Sequence, residues 1–565
     1  MRVIKLNLNI NLIKSWKYFS YHRSFGTVSK VRQGFGSFHS NDIEQIIRSP
    51  NLIQPNAMLE IHENITIYNS EQFDGSKFNM GLHLREFAFN LDNSWTFINH
   101  GAFGAVMQPM LLASEQWRRY CEKQPLRFFD RDLFPSIAYT LQQVAKLFHC
   151  PAEELYPLQN VTSGLNSVLQ SIHLSEGDEV ICFSLTYGST KKMLQDLCLR
   201  TGAVLRIVHI PLPVSGREHI IAKLVDALNE KTRLLIIDEI TSNTALMMPT
   251  IELAQLGRQA GALVVVDAAH VMMSQHVGIY PRTNATPTTT SNSLVNDTMQ
   301  SSLSDVADVW ITNAHKWFCA PKGSAFMWVH PATAPHIRTA IVSHGYLGYQ
   351  GDDRLVSRNR HPRVRWWHEE AVGRKHGNGT VGASSKLLSA LAWDGCRDYT
   401  AMLSVPIGLH FWGMLQHCNH DFASQRTSAA TSLSVAEAGS TSRPSPGMKD
   451  TISSNATIDI DAVHRGMSAC RAYSQELLHR NVVPTLYESW GLSEDDRPAP
   501  ACLTAGSPMA LVSLRCFIST FYTMYYSKYF YWFVIISHYP GRYSNVVVLL
   551  PHPMCRCPCQ RQSKA

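Results

Sequence analysis

The stretch "DVWITNAHKWFCAPKG", residues 308–323, places a lysine just beyond an apolar β-strand. Lys316 follows the strand, and its neighbours are Trp317 and Phe318, so the pattern directs an amine into an apolar interior. An ammonium group is costly to remove from water, and lysine is therefore normally found at the surface. An imine with an aldehyde cofactor would remove the charge and give the lysine a chemical task. Lys316 is therefore the first candidate for a catalytic residue.

Short β-branched runs alternate with amphipathic stretches on the N-terminal side of this segment. The runs predict strands, and the stretches between the early ones predict helices at 189–202, 217–231 and 249–261, two of which are closed by Gly202 and Gly261. The predicted strands are at 178–185, 203–212, 232–240, 261–269, 307–314 and 323–330. This alternation predicts an α/β fold with a mainly parallel sheet and helices on both faces.

Ligands of such sheets bind beyond the carboxyl ends of the strands, and Asp267 is at one of these ends. A buried carboxylate needs a partner, and a protonated pyridine ring would be one. His270, three residues later, could contact the ring hydroxyl. A lone aspartate at a strand end is more often a helix cap, but the later lysine favours the cofactor interpretation.

A phosphate site is predicted where "NVTSGLNSVLQSI" begins a helix with Thr162, Ser163 and Gly164. Amides, hydroxyls and the helix dipole favour an anion there, although an ordinary N-cap uses the same residues. Tyr187 follows another strand and could stack on a flat ring or belong to the core. Ser242, after the next strand, could reach the ring oxygen.

These residues, together with "FINHGAFGAV" (97–106), "EKQPLRFF" (122–129) and "DEITSNTALMMP" (238–249), carry a family resemblance. From about Asn99 to Leu391 the chain resembles the class V aminotransferase family of fold type I pyridoxal-phosphate enzymes, in particular its isopenicillin N epimerase-like branch. The resemblance implies a seven-stranded, mainly parallel sheet with flanking helices and a smaller C-terminal α+β domain. The sequence leaves that second domain incomplete.

The same resemblance implies the role of each candidate. Lys316 would form the imine with pyridoxal phosphate, Asp267 would face the pyridinium nitrogen, and His270 and Ser242 would lie near the ring oxygen. Phosphate contacts would come from Thr162, Ser163 and His315. A homodimer is also implied, in which Gly379 and Thr380 of "HGNGTVGAS" complete the phosphate site of the neighbouring subunit.

Net charge argues against a nucleic-acid partner. Seven Lys and Arg residues precede the first acid, Asp42, and they account for the whole net charge of +7, so the remaining chain is neutral. Residues 1–45, which contain no acid before Asp42, have the basic composition of a transit peptide, although a disordered or mis-assigned N-terminus fits equally well. We expect a mitochondrial or cytoplasmic protein, and the scattered cysteines are expected to be reduced.

The remaining boundaries follow from composition. We predict a large cofactor domain at 80–395 with a disordered insertion at 283–304, and a partial small domain at 396–515 with a disordered insertion at 424–457. An atypical aromatic tail, 516–565, follows; a membrane span in it is disfavoured by Lys528 and its tyrosines. Cys555, Cys557 and Cys559 lack the pairing of a zinc site.

The predicted enzyme acts on a small amino acid by removing its Cα proton, with Lys316 as the base. The sequence does not decide among transamination, epimerisation and β-elimination, and β-elimination or transamination of a small sulfur-containing substrate is the preferred prediction. No cysteine lies in the C-terminal loop context that cysteine desulfurases use, which disfavours that branch. Because no carboxylate-binding arginine is recognisable after Arg515, a catalytically weakened binding or scaffold protein is the alternative.

Overall fold

The computed structural model describes residues 42–50, 52–63, 65, 80–92, 97, 99–212, 214, 216–281, 302–345, 387–418, 458–477, 534–536 and 546–548 of the 565-residue chain. Its centre is a seven-stranded sheet. The strands are β1 (Leu155–Leu158), β2 (Glu179–Phe183), β3 (Val204–Val208), β4 (Thr232–Asp238), β5 (Leu263–Asp267), β6 (Val309–Asn313) and β7 (Ala325–Val329).

The sheet order is β1-β7-β6-β5-β4-β2-β3, and only β7 runs against the other strands of this sheet. All residues of β5 and β6 are buried, as expected for parallel strands covered on both faces. The predicted α/β class with a mainly parallel seven-stranded sheet is confirmed. The carboxyl ends of β4, β5 and β6 therefore meet at one edge, at Asp238, Asp267 and Asn313.

Helices before and between the strands supply the layers around the sheet. They are α1 (Ile43–Ile46), α2 (Asn56–Glu63), α3 (Leu82–Ala88), α4 (Gln108–Lys123), α5 (Pro125–Arg127), α6 (Leu133–Phe148), α7 (Val161–Ser171), α8 (Gly188–Thr201), α9 (Arg217–Val225), α10 (Thr250–Gln259) and α11 (Leu303–Val306). A π-helical turn, Phe128–Asp132, joins α5 to α6. Helix α7 packs on β6 and β7, and α10 packs on β4 and β5, so each buries its apolar side against the sheet.

The helices on the C-terminal side are α12 (Leu387–Ala392), α13 (Thr400–Leu403), α14 (Val405–Met414) and α15 (Ile460–Leu477). Helix α14 packs against α4, α6 and α15, and Trp412 of α14 donates its indole hydrogen to the carbonyl of Phe318, 3.2 Å away. These helices therefore share the core beside the turn that carries Lys316. Two short strands, β8 (Val534–Ile536) and β9 (Val546–Val548), pair antiparallel with each other.

Two predicted boundaries need correction. The helix expected over 217–231 ends at Val225, because Asn229 forms a turn in which its amide donates to Thr232 Oγ1 over 3.1 Å. The insertion predicted over 283–304 is too long, since Ser302 caps α11 in a capping box and Leu303 is buried. Gly202 and Gly261 do end their helices, and their φ angles of 76° and 85° require the left-handed conformation that glycine favours.

Candidate active site

Lys316 lies on a tight turn directly after β6. The amide of Ala320 donates to the carbonyl of Ala314 over 3.1 Å, and Cys319 adopts a left-handed φ of 63° within the turn. The lysine side chain is half-buried, and its Nζ atom is 3.1 Å from Nε2 of His270. Burial lowers the pKa of Lys316 to about 8, although the negative charge of nearby Asp267 opposes that change. At pH 7 about one tenth of an amine with this pKa is uncharged, far more than for an ordinary lysine.

Asp267 ends β5 with its carboxylate buried at the same edge of the sheet. Its Oδ1 atom accepts the amide hydrogen of Ala269 over 3.1 Å, and its Oδ2 atom accepts a longer bond of 3.4 Å from the Thr190 hydroxyl. Burial raises the pKa of Asp267, and the positive charge of Lys316 partly offsets that rise. A cation placed against this carboxylate would hold it ionised.

His270 connects Lys316 to Trp317. The indole Nε1 of Trp317 donates to His270 Nδ1 over 3.2 Å, while His270 Nε2 faces the lysine amine. Burial lowers the pKa of His270 well below its ordinary value, so the ring is neutral. The three predicted residues Lys316, His270 and Asp267 are thus brought together. The indole of Trp317 contacts His270, a role that was not predicted from its position next to the lysine.

The N-terminus of α7 is more fully satisfied internally than the sequence predicted. Asn160, which the sequence reasoning did not single out, is the N-cap, and its Oδ1 accepts the Ser163 amide over 2.9 Å. The amide of Val161 donates to Asn313 Oδ1 over 3.1 Å, which ties the helix to the end of β6. The Thr162 side chain is exposed at this end and remains a candidate for an anion, whereas the Ser163 hydroxyl already donates to the Asn160 carbonyl over 2.8 Å.

Gly164 has a packing role that the sequence did not predict. Its amide already donates to the Asn160 carbonyl over 3.3 Å, and the residue is buried. A β-carbon at this position would overlap the Leu158 side chain and touch Ile311 at 3.4 Å. The absence of a side chain at Gly164 therefore lets α7 approach β1 and β6 closely.

Tyr187 is the N-cap residue of α8 and is 44% exposed, which excludes the core interpretation and leaves its ring available for stacking. Its amide donates to Asp238 Oδ1 over 3.0 Å.

Asp238 is in register with Asp267 on the neighbouring strand, and its Oδ2 atom is buried with no hydrogen-bond partner among the described residues. Burial, reinforced by the Asp267 charge, raises the pKa of Asp238 to about 7. The sequence analysis missed Asp238, because register between strands is not visible in the chain.

The other predicted residues have less defined surroundings. Ser242 is half-buried in the loop after β4. His315 directs Nδ1 to the Ser324 carbonyl over 2.9 Å, and burial lowers its pKa. Gly379 and Thr380 lie outside the described residues, as do the three cysteines near position 557.

The segment "NHGAFGAV", residues 99–106, forms a loop over the lysine turn. A β-carbon on Gly104 would overlap the carbonyl oxygens of His315 and Lys316, and one on Gly101 would lie 3.1 Å from the Trp317 ring. Lys322 reinforces the contact by donating to the Gly104 carbonyl. The two glycines therefore allow backbone to lie directly against the lysine turn, which no side chain larger than hydrogen would permit.

Comparisons with known proteins identify similar sequences and structures. The sequence profile of the family described as Aminotransferase class-V matches residues 131–280, a range that includes Asp267 and His270 and stops before Lys316. Over that range the chain is similar to the class V aminotransferase family. Within the described residues, no group of three or more His, Cys, Asp or Glu could hold a metal ion, and no helix has the length and apolar character to cross a bilayer.

Individual relatives of the chain carry different names. An L-cysteine desulfhydrase from Arabidopsis thaliana is 29% identical over 329 residues, covering 56% of this chain and 60% of the relative. An isopenicillin N epimerase from Amycolatopsis lactamdurans is 24% identical over 331 residues, covering 58% and 72%. A solved complex of the cystine C-S lyase C-DES is 19% identical with a TM-score of 0.41, covering 60% of this chain and 75% of that chain. The chain spans a little over half the length of the desulfhydrases it matches.

The residues at the sheet edge fit the pyridoxal phosphate that this family implies. A buried carboxylate with one long hydrogen bond, Asp267, suits a pyridinium nitrogen, and the exposed ring of Tyr187 suits a stacked heterocycle. Lys316 presents an amine of lowered pKa at the same edge. Together these groups supply a counter-ion, a stacking surface and a nucleophile.

Proposed function

We propose that this chain is a pyridoxal-phosphate-dependent enzyme that removes the sulfur of L-cysteine or a closely related small amino acid by β-elimination. The observation that carries the proposal is the Lys316 amine, 3.1 Å from a neutral His270 and next to the buried Asp267 carboxylate. An uncharged amine in this position can act first as a nucleophile and then as a base.

Each side chain has a distinct task in the proposed reaction. When bound, the cofactor supplies an electron sink for the carbanion formed at the substrate Cα. Asp267 strengthens that sink, because its negative charge favours a proton on the ring nitrogen. Lys316 takes the Cα proton, and that proton is then available to the departing sulfur. The overall change is L-cysteine plus water to pyruvate, ammonia and hydrogen sulfide.

The desulfhydrase names of the relatives support a sulfur substrate, and the other two chemistries of the family are alternatives to be tested. Elimination needs a leaving group on Cβ, whereas transamination and epimerisation do not. L-alanine, which lacks that group, is therefore the matched control substrate for L-cysteine.

The first experiment tests the lysine. Purified full-length protein is mixed with pyridoxal phosphate and reduced with borohydride, and the labelled peptide is identified by mass spectrometry. We expect the label on Lys316, its loss in Lys316→Ala, and no change in Lys192→Ala, which removes an exposed lysine of α8. Label elsewhere in the wild-type protein would refute the assignment.

The second experiment tests the reaction. The loaded enzyme is supplied with L-cysteine or L-alanine, and sulfide, pyruvate and ammonia are measured. We expect all three products in equal amounts from cysteine and none from alanine. A keto acid that depends on an added amino acceptor would support transamination, and loss of optical activity without products would support epimerisation. A labelled lysine combined with no product and no spectral response to amino acids would support the binding or scaffold role.

We further propose that the active enzyme is a homodimer in which Gly379 and Thr380 of one subunit complete the phosphate site of the other. Co-expression of Lys316→Ala and Thr380→Val subunits tests this, because a mixed dimer would contain one site with both native residues. We expect activity in the mixture and little in either parent. Activity that does not exceed the parents would overturn the shared site, while leaving the lysine assignment intact.

A further inference from the structure

The contact between Trp317 and His270 decides which ring nitrogen of the histidine carries the proton. An indole nitrogen can only donate a hydrogen bond, so the 3.2 Å contact from Trp317 Nε1 requires His270 Nδ1 to be an unprotonated acceptor. The buried, neutral ring carries a single proton. That proton must therefore reside on Nε2, the atom that faces Lys316.

The tautomer of His270 affects the charge state of Lys316. His270 Nε2 is 3.1 Å from Lys316 Nζ, and a donor on Nε2 requires an acceptor on the lysine. An ammonium group has no lone pair, whereas a neutral amine has one. The tautomer set by Trp317 therefore stabilises the uncharged, nucleophilic form of Lys316. The opposite tautomer would accept a hydrogen bond from the ammonium form and would favour the charge.

We propose that Trp317 is a positioning residue: it fixes the Nε2-protonated tautomer of His270, which then donates a hydrogen bond to the Lys316 amine. The catalytic meaning of this arrangement rests on the proposed function. The tautomer itself does not, because it follows from contacts within this chain.

The surroundings protect the contact from competing water. The Gly101 backbone lies over both rings, so that a β-carbon there would be 3.1 Å from Trp317 and 3.4 Å from the His270 ring. The His100 ring lies beside the indole, with centroids 6.0 Å apart. The titratable group that directly contacts His270 is Lys316, and the nearby carboxyl groups of Asp267 and Asp238 act on that lysine. The indole hydrogen therefore has one well-placed acceptor.

Nitrogen NMR of cofactor-free protein labelled with 15N-histidine tests the tautomer directly, and His270→Gln identifies the His270 signals. In the wild-type protein we expect Nε2 in the protonated range and Nδ1 in the unprotonated range. In Trp317→Phe we expect that preference to be lost or reversed. A proton on Nδ1 in the wild-type protein would overturn the proposal on its own, so the result does not depend on the variant folding.

Lys316 reactivity supplies the second readout. The pH dependence of Lys316 acylation in cofactor-free protein, followed by peptide mass spectrometry, should have a midpoint about one pH unit higher in Trp317→Phe, because hydrogen bonding no longer favours the neutral amine. The matched control is Trp412→Phe, which removes another indole donor that bonds the Phe318 carbonyl and not His270. Equal midpoints in wild type and Trp317→Phe, or an equal shift in both variants, would overturn the proposed role.

These measurements are independent of turnover. If the tautomer is as proposed but no sulfur substrate reacts, the positioning role stands and the proposed function fails. If sulfide is released while the tautomer is unaffected by Trp317→Phe, the proposed function stands and the positioning role fails.

Discussion

Gly104→Ala should push the loop at 99–106 away from the turn that carries Lys316. A β-carbon on Gly104 would overlap the carbonyl oxygens of His315 and Lys316 and would lie 2.9 Å from the Lys316 carbonyl carbon. Ordinary carbon contacts are about 3.5–4.0 Å, so the two segments must separate by about 1 Å. The φ angle of Gly104 lies outside the left-handed region, so alanine is tolerated by its own backbone and the cost arises from this contact.

The expected loss has two parts. Overpacking of this kind costs about 1–3 kcal/mol of unfolding free energy, and a backbone carbonyl cannot rotate away as a side chain can. A displacement of about 1 Å would also stretch the 3.1 Å contact between Lys316 and His270 beyond hydrogen-bonding distance, and misplacements of that size can cost about 100-fold in rate.

Urea unfolding measures the first part, and the rate of borohydride-trapped cofactor incorporation at Lys316 measures the second. Gly278→Ala is the control, because a β-carbon there would have its nearest neighbour, the Tyr280 carbonyl oxygen, at an ordinary 3.7 Å. Wild-type stability and wild-type incorporation in Gly104→Ala would refute the inferred close approach of the loop to the lysine turn.

Three further changes have defined outcomes. Asp238→Asn should stabilise the cofactor-free protein relative to wild type, by an amount that increases from pH 5 to pH 8. The Asp238 carboxyl, with its pKa raised to about 7, retains a proton in the folded wild-type protein that the unfolded chain has lost, so wild-type stability falls over that range. Unfolding curves at each pH measure the difference. Asp308→Ala should cost about 3–5 kcal/mol in urea unfolding, because it leaves the largely buried guanidinium of Arg258 without its carboxylate. Asn160→Ala should cost about 1 kcal/mol by the same assay, because the Ser163 amide loses its cap.

Each of these predictions has a contradicting result, and the predictions for Asp308 and Asn160 each have a control variant. A pH-independent difference between Asp238→Asn and wild type would show that Asp238 is not protonated in the folded state. Asp196→Ala breaks an exposed pair with Arg200 and should cost less than about 1 kcal/mol, and a similar small cost in Asp308→Ala would contradict the buried pairing. Asn166→Ala, within the same helix as the cap, should leave stability nearly unchanged; a loss as large as that of Asn160→Ala would rule out a capping effect.

Features that depend on local pattern could be predicted from the sequence. The strands that end at Asp267 and Asn313 are continuous β-branched or aromatic runs, and the segment between β6 and Lys316 is short, so the lysine could only emerge at the carboxyl edge. The glycines closing α8 and α10 were also predictable, because positive φ is a local requirement.

Features that depend on contact between distant segments could not be predicted. Gly104 meets a backbone more than two hundred residues away, and Asp238 meets Asp267 only through the strand register. Gly164 was assigned to an anion site because glycine near a helix start fits that pattern, whereas its actual constraint is the Leu158 side chain beneath it. Nothing in the local sequence separates these two uses of glycine.

The chemistry at the sheet edge depends on this combination of local and distant contacts. Asp267 and Lys316 alone would form a buried ion pair, in which the carboxylate would hold the amine in its charged and unreactive form. Burial opposes that tendency, and the Nε2 hydrogen of His270, directed by Trp317, opposes it further by requiring an acceptor on the lysine. The Asp267 carboxylate thus remains available to a ring nitrogen, and the Lys316 amine remains a nucleophile. Neither outcome follows from the strand-end residues without the hydrogen bond from the Trp317 indole to His270.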